Sequence, residues 1–99
     1  MSSCLYEFKW DRVKARVNFN KHGVDFERAA EVFRDPLALT IPDDEHSGTE
    51  VRWITMGKDT HGGYALVVHT FEQVDEQIGC IRIISARRPT KVEARDYEE

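Results

Sequence analysis

Lys14, Asn18, Lys21 and His22 recur at i, i+4, i+7 and i+8. On a helix this spacing lines two ammonium groups, an amide and an imidazole along one stripe. Imidazole exchanges a proton near neutral pH, and fixed cations stabilise an anion as charge develops on it. Together they are the kinds of group that cleavage of an RNA phosphodiester needs. The same spacing also describes the solvated face of an ordinary amphipathic helix. A second group comes from apolar runs that read as strands, each interrupted by one basic residue: Arg52, His69, Arg82 and Arg87. A lone charge in a strand often pairs with a carboxylate or reaches for the edge, and Glu50 and Glu72 are available partners. On a common sheet face, such residues would instead form a basic patch, and arginine is suited to a two-pronged grip on phosphate. Strict alternation sets Ile81, Ile83, Ser85 and Arg87 on one face and Cys80, Arg82, Ile84 and Ala86 on the other. Arg82 and Arg87 therefore share a face only where a bulge intervenes.

Other constellations carry less. His22, His46, His61 and His69 with Cys4 and Cys80 show no HxxxH or CxxC spacing, so no metal site and no cofactor is expected. Ser85 lacks the surroundings of a nucleophile elbow, and Gly57, Gly62 and Gly63 bracket a turn rather than a phosphate loop. Trp10 and Trp53 read as core or interface anchors. The two cysteines read as free thiols of a cytoplasmic protein. Neither a secretory signal nor an apolar run long enough to span a bilayer is evident.

The elements that must position these residues follow from periodicity. Leu5 to Trp10 alternates as a short strand, and Asp11 caps a helix from about Arg12 to His22 that ends at Gly23. In that helix Val13 and Val17, one turn apart, are expected to face inward. Asp25 caps a second helix with the apolar stripe Phe26, Ala29, Ala30 and Phe33, stopped at Asp35-Pro36. The period then changes to two: Leu37 to Ile41, Glu50 to Gly57, Tyr64 to Phe71 and Ile78 to Arg88 read as strands. Pro42 to Thr49, Asp59 to Gly63 and Glu72 to Gln77 read as the connections, and Lys91 to Glu99 as a short charged helix. Short connections argue for an antiparallel meander. The order β-α-α-β-β-β-β-α gives an α+β domain, helices on one face of a four- to five-stranded antiparallel sheet, spanning residues 1–99.

Hydrophobic residues make up 40% and charged residues 32%, the balance of a globular chain rather than a disordered one. The net charge of −4 weighs against a nucleic-acid partner, but its distribution is uneven. Cations gather at Lys9, Arg12, Lys14, Arg16 and Lys21 and again at Arg82, Arg87, Arg88, Lys91 and Arg95, while acids gather at Asp43, Asp44, Glu45 and Glu50 and at Asp75, Glu76, Glu98 and Glu99. A non-catalytic module that binds an acidic partner and a nucleic-acid binder that cuts nothing fit this pattern too. A binder's affinity would fall steeply with salt.

Several segments together resemble the BrnT family: FKWD at Phe8 to Asp11, NFNKHGVDFERAAEVFRDP at Asn18 to Pro36, EVRW at Glu50 to Trp53, VVHT at Val67 to Thr70, RIISARRPT at Arg82 to Thr90, and the pair Glu93 and Tyr97. The resemblance runs from about Phe8 to Tyr97; only Met1 to Leu5 and the acidic turn Glu72 to Gln77 depart from it. It implies a RelE-like fold and a metal-independent ribonuclease toxin of a type II toxin–antitoxin system that inhibits translation and growth. It also implies a BrnA-type ribbon-helix-helix antitoxin in a 2:2 heterotetramer, which represses its own operon through operator DNA. The family pattern meets this chain at Lys21, His22, Glu50, Arg52, His69, Arg82 and Arg87. Carried over, Arg52 and Arg82 clamp the scissile phosphate, and His22 or His69 is the base toward the ribose 2′-hydroxyl. Glu50 is an alternative base or a partner of Arg52. Lys14, Lys21 and Arg87 bind RNA phosphates.

Overall fold

A computed structural model describes residues 5–45 and 48–98. The expected Cys4, His46 and Glu99 features lie outside the described residues. Strand β1 (Leu5–Lys9) leads into helix α1 (Arg12–His22) and helix α2 (Phe26–Glu31), which tightens into a 3-10 turn (Val32–Arg34). Strands β2 (Leu39–Pro42), β3 (Trp53–Lys58), β4 (Tyr64–Gln73) and β5 (Ile78–Arg87) follow, and helix α3 (Lys91–Glu98) closes the order. Asp11 accepts from the backbone N–H groups of Val13 and Lys14 at 2.8 and 3.0 Å, while Gly23 ends α1 at φ 74. That left-handed conformation suits glycine, which has no Cβ to clash.

The sheet order is β1-β5-β4-β3-β2. Strands β2 to β5 form the expected antiparallel meander, and β1 adds to β5 in parallel, so the sheet is mixed. On its inner face, Val24, Phe26, Ala29 and Val32 from the helical layer pack against Ala65, Val67, Ile81, Ile83 and Ala86. Phe8, Trp10 and Phe33 seal the margin. Burying each such side chain contributes about 1.5–3 kcal/mol, which is why this face is the one the helices cover.

Two expectations are corrected. Val13 and Val17 are exposed, because the face of α1 that meets the protein carries Asn18 and Ala15 instead. The Asn18 amide is buried and donates to the carbonyls of Val24 (3.1 Å) and Ala86 (2.8 Å), while its oxygen accepts from the Ala86 N–H (3.1 Å). Strand β1 ends opposite Arg82, and beyond that point Asn18 occupies the edge of β5 that a longer β1 would have paired. Helix α1 thus runs beside the sheet as a substitute for a strand.

The second correction concerns β5. Val68 pairs with Ser85 but His69 pairs with Ile83, leaving Ile84 as a bulge. Facing continues across it as two sets rather than one alternation: Ile81, Ile83 and Ala86 lie inside, whereas Arg82, Ser85 and Arg87 lie outside. Arg82 and Arg87 therefore share the outer face. The rows across that face are Leu39–Met56–Leu66–Arg87, then Ile41–Ile54–Val68–Ser85, then Thr70–Arg82–Lys9.

Helix α3 is tied down by polar contacts. Arg87 donates to both oxygens of Glu93 at 2.9 and 3.0 Å, and the Tyr97 hydroxyl donates to Asp35 at 2.5 Å. The Arg87 fork, with the Thr90 N–H, holds the Glu93 carboxyl down at about 2. Burial and the Asp35 carboxylate push the Tyr97 phenol up to about 12.

Candidate functional site

The outer face carries a cleft of about 400 Å³ lined by Asp11, Lys14, Glu50, Arg52, Arg82, Ile83 and Ile84. Its parts come from distant stretches of chain. The bulge turns β5 so that Arg82 stands on the outer face beside Lys9 and Thr70. Arg52 precedes β3, and its carbonyl accepts from the Asp43 N–H at 2.9 Å, which extends the β2–β3 ladder by one pair. Alternation from Trp53, which faces inward, places Arg52 outward. Lys14 lies one turn before Asn18, so the contact that fixes Asn18 on β5 also aims Lys14 at the cleft.

Within the cleft Arg82 donates to the Glu50 carboxylate in an ion pair whose two side chains are each more than a third exposed. An exposed pair of this kind is weak, because water screens it, and an incoming anion can replace the carboxylate at little cost. Lys14, Arg52 and Arg82 thus offer three cations beside two carboxylates. Of these, Asp11 is engaged in capping α1, and Glu50 stands ready to accept a proton next to a bound phosphodiester.

The two histidines are not brought to this cleft. His22 is exposed at the far end of α1, on the order of 12 Å from Lys14 at about 1.5 Å rise per residue. Lys21 is exposed at that same end. His69 pairs with Trp53 and Ile83 on the inner face and is 3% exposed. Its Nδ1 lies 3.1 Å from the Thr70 carbonyl, which can only accept, so Nδ1 carries the proton. Nε2 then accepts from the Thr55 hydroxyl at 2.7 Å, and the Thr55 oxygen accepts from Thr40 at 2.8 Å. The Phe33 and His69 rings pack T-shaped with centroids 4.8 Å apart, and burial pushes the imidazole below its ordinary value, partly offset by the Thr70 bond. His69 is a neutral, satisfied core residue under a second cavity of about 250 Å³ walled by Tyr6, Phe33, Trp53 and Phe71. Arg87, although on the cleft's face, is committed to Glu93. Glu50 pairs with Arg82.

Asp11, read from the sequence only as a helix cap, lines the cleft, and strand pairing sets Lys9 and Thr70 on either side of Arg82. Among the described residues Glu31, Asp59 and His61 lie close enough together to hold a metal ion. Asp59 there faces the guanidinium groups of Arg28 and Arg88 at 3.8 and 3.6 Å, which already compensate its charge. Among the described residues no helix is long and apolar enough to cross a membrane.

Comparison with known proteins bears on this geometry. Residues 10–93 match the family described as the ribonuclease toxin, BrnT, of type II toxin-antitoxin systems. The crystal structure of the Brucella abortus ribonuclease toxin, BrnT, is similar in fold, with a TM-score of 0.56 at 20% identity, covering 92% of this chain and 100% of that one. No curated protein matches.

Proposed function

Since this chain belongs to the BrnT family of ribonuclease toxins of type II toxin–antitoxin systems, we propose that its outer-face cleft is where RNA is cut, without a metal. The observation that carries this reading is the gathering of Lys14, Arg52, Arg82 and Glu50 in one open cleft, from elements far apart in sequence. The scissile phosphate enters between the three cations and takes Arg82 from Glu50. The freed carboxylate receives the proton of the ribose 2′-hydroxyl, whose oxygen attacks phosphorus. Arg52 and Arg82 stabilise the charge that builds on the phosphoryl oxygens. The departing 5′-oxygen takes a proton from the Lys14 ammonium. Products are a 2′,3′-cyclic phosphate and a 5′-hydroxyl. In this scheme, cations of the chain supply the positive charge that a metal ion supplies in other nucleases. Lys21 and His22 lie along α1 where flanking RNA phosphates can reach them.

A type II toxin is held by a protein antitoxin, and we take a BrnA-type ribbon-helix-helix protein as that partner, in a 2:2 complex that represses its operon through operator DNA. The direct experiment incubates the purified chain with RNA in excess chelator and analyses the fragment ends. Fragments ending in cyclic phosphate and 5′-hydroxyl are expected. Cleavage that the chelator abolishes would overturn metal independence, and RNA that is retarded intact would replace the nuclease reading with a binder.

A further inference from the structure

Strand β2 is an open edge of the sheet, and its backbone states what can bind there. The Asp43 N–H donates to the Arg52 carbonyl, so Asp43–Arg52 is a hydrogen-bonded pair of the antiparallel ladder. Bonded and non-bonded pairs alternate, so Ile41–Ile54 and Leu39–Met56 are bonded as well, and Thr40–Thr55 is not. The close approach of the Thr40 and Thr55 hydroxyls agrees with this. The N–H and C=O of Thr40 consequently point away from the sheet. Pro42, which has no N–H, limits the edge on one side.

The side chains beside this backbone are apolar and uncovered. Leu39 is 45% exposed and Ile41 59% exposed, and both open onto an outer-face groove of about 280 Å³ floored by Ile54, Met56 and Leu66. Asp96 of α3 stands exposed at one rim of the groove beside the Arg87–Glu93 ion pair, and the exposed Asp44 and Glu45 follow shortly after β2. An uncovered edge with a flanking apolar groove is a template for strand addition. Acids at both ends favour an occupant that carries cations there. A second copy of this chain, with net charge −4, would bring like charges to the same rims.

We infer that the antitoxin adds an extended segment to β2, exchanging both backbone hydrogen bonds with Thr40. Its alternate apolar side chains enter the Leu39–Ile41 groove, and its basic residues meet the acidic rims. This rests on the toxin reading above and specifies the surface that the partner uses. The Pro42 end of β2 pairs with Trp53, next to Arg52, so a segment running past that end arrives at the mouth of the cleft.

The test uses the chain co-expressed with a BrnA-type ribbon-helix-helix protein, the class of partner taken above. Formation of a complex that suppresses RNA cleavage establishes the partner independently of where it docks. In that complex, hydrogen exchange at the Thr40 amide is expected to slow by at least 100-fold relative to the chain alone. Thr40→Pro, which removes only an outward-pointing N–H from the backbone, is expected to weaken the complex at least tenfold, whereas Thr40→Val, which keeps that N–H, binds as the parent does. Unchanged exchange at Thr40 in a complex that does form overturns strand addition and leaves the toxin reading intact. Equal weakening by Thr40→Val also overturns it, by pointing to the hydroxyl. Protection of Thr40 in the isolated chain, with a dimer in solution, assigns the edge to a second copy instead. If Thr40→Pro does not fold, the exchange measurement on the parent complex decides. Absence of both a complex and RNA cleavage removes the toxin reading and this inference together.

Discussion

At the scale of single residues, basic side chains that interrupt apolar strands are put to different uses. Arg82 on the outer face holds an exchangeable carboxylate, and Arg87, two rows away, is locked to Glu93. His69 on the inner face is buried and its proton is fixed on Nδ1 by the Thr70 carbonyl. These residues were visible in the sequence as basic interruptions of apolar strands. Glu50 was among the available carboxylates, but which basic residue it meets, and the contacts of His69 with Thr55 and of Arg87 with Glu93, depend on strand register and helix docking. His69 yields a pH expectation. Its folded value lies below the ordinary 6.5, so the unfolded chain takes up the proton first. Stability contributed by neutral His69 is full above about pH 6.5 and falls as pH drops below it. Thermal unfolding followed from pH 7 to 5 is expected to show this decline, and His69→Gln to flatten it; an unchanged slope in the variant would contradict the assignment.

At the scale of elements, local patterns located nearly every helix and strand, and long-range pairing decided how each was used. The caps at Asp11, Gly23 and Asp25 were legible because capping depends on residues within one turn. The parallel pairing of β1 with β5 was not, since periodicity carries no strand order. The inward placing of Val13 and Val17 failed for a related reason. Hydrophobicity favours burial of valine, but α1 substitutes for a strand at the edge of β5, and there the backbone of Ala86 needs hydrogen bonds more than apolar contact. Asn18 supplies them. Asn18→Ala leaves the Ala86 N–H and the carbonyls of Ala86 and Val24 without that partner, and is expected to cost about 2–4 kcal/mol, measured by urea unfolding. A loss below about 1 kcal/mol would show that water replaces the amide. Because Lys14 is aimed by the same contact, the variant is also expected to lose RNA cleavage beyond what its lower stability explains.

At the scale of the whole molecule, the layers separate stability from chemistry. Helices α1 and α2 cover the inner face, where the apolar core and His69 lie, while the outer face, bordered by α3 at Arg87, carries cations at one end and an apolar groove at the other. The negative net charge therefore coexists with a local cationic cleft, which the uneven spacing of charges in the sequence already suggested. The division of the outer face was beyond the sequence, because it depends on the bulge at Ile84, a one-residue departure from alternation that transfers Arg87 to the side of Arg82. The reading as a cleaving cleft rests on Arg82 acting on RNA and Arg87 acting on α3. The most direct measurement compares the cleavage rate of the purified chain with those of Arg82→Ala and Arg87→Ala, after circular dichroism has shown each to be folded. Loss of about 10²–10³ in rate for Arg82→Ala, with Arg87→Ala within a few-fold of the parent, is the expected result. A folded Arg82→Ala that cuts RNA at the parent rate would contradict the account.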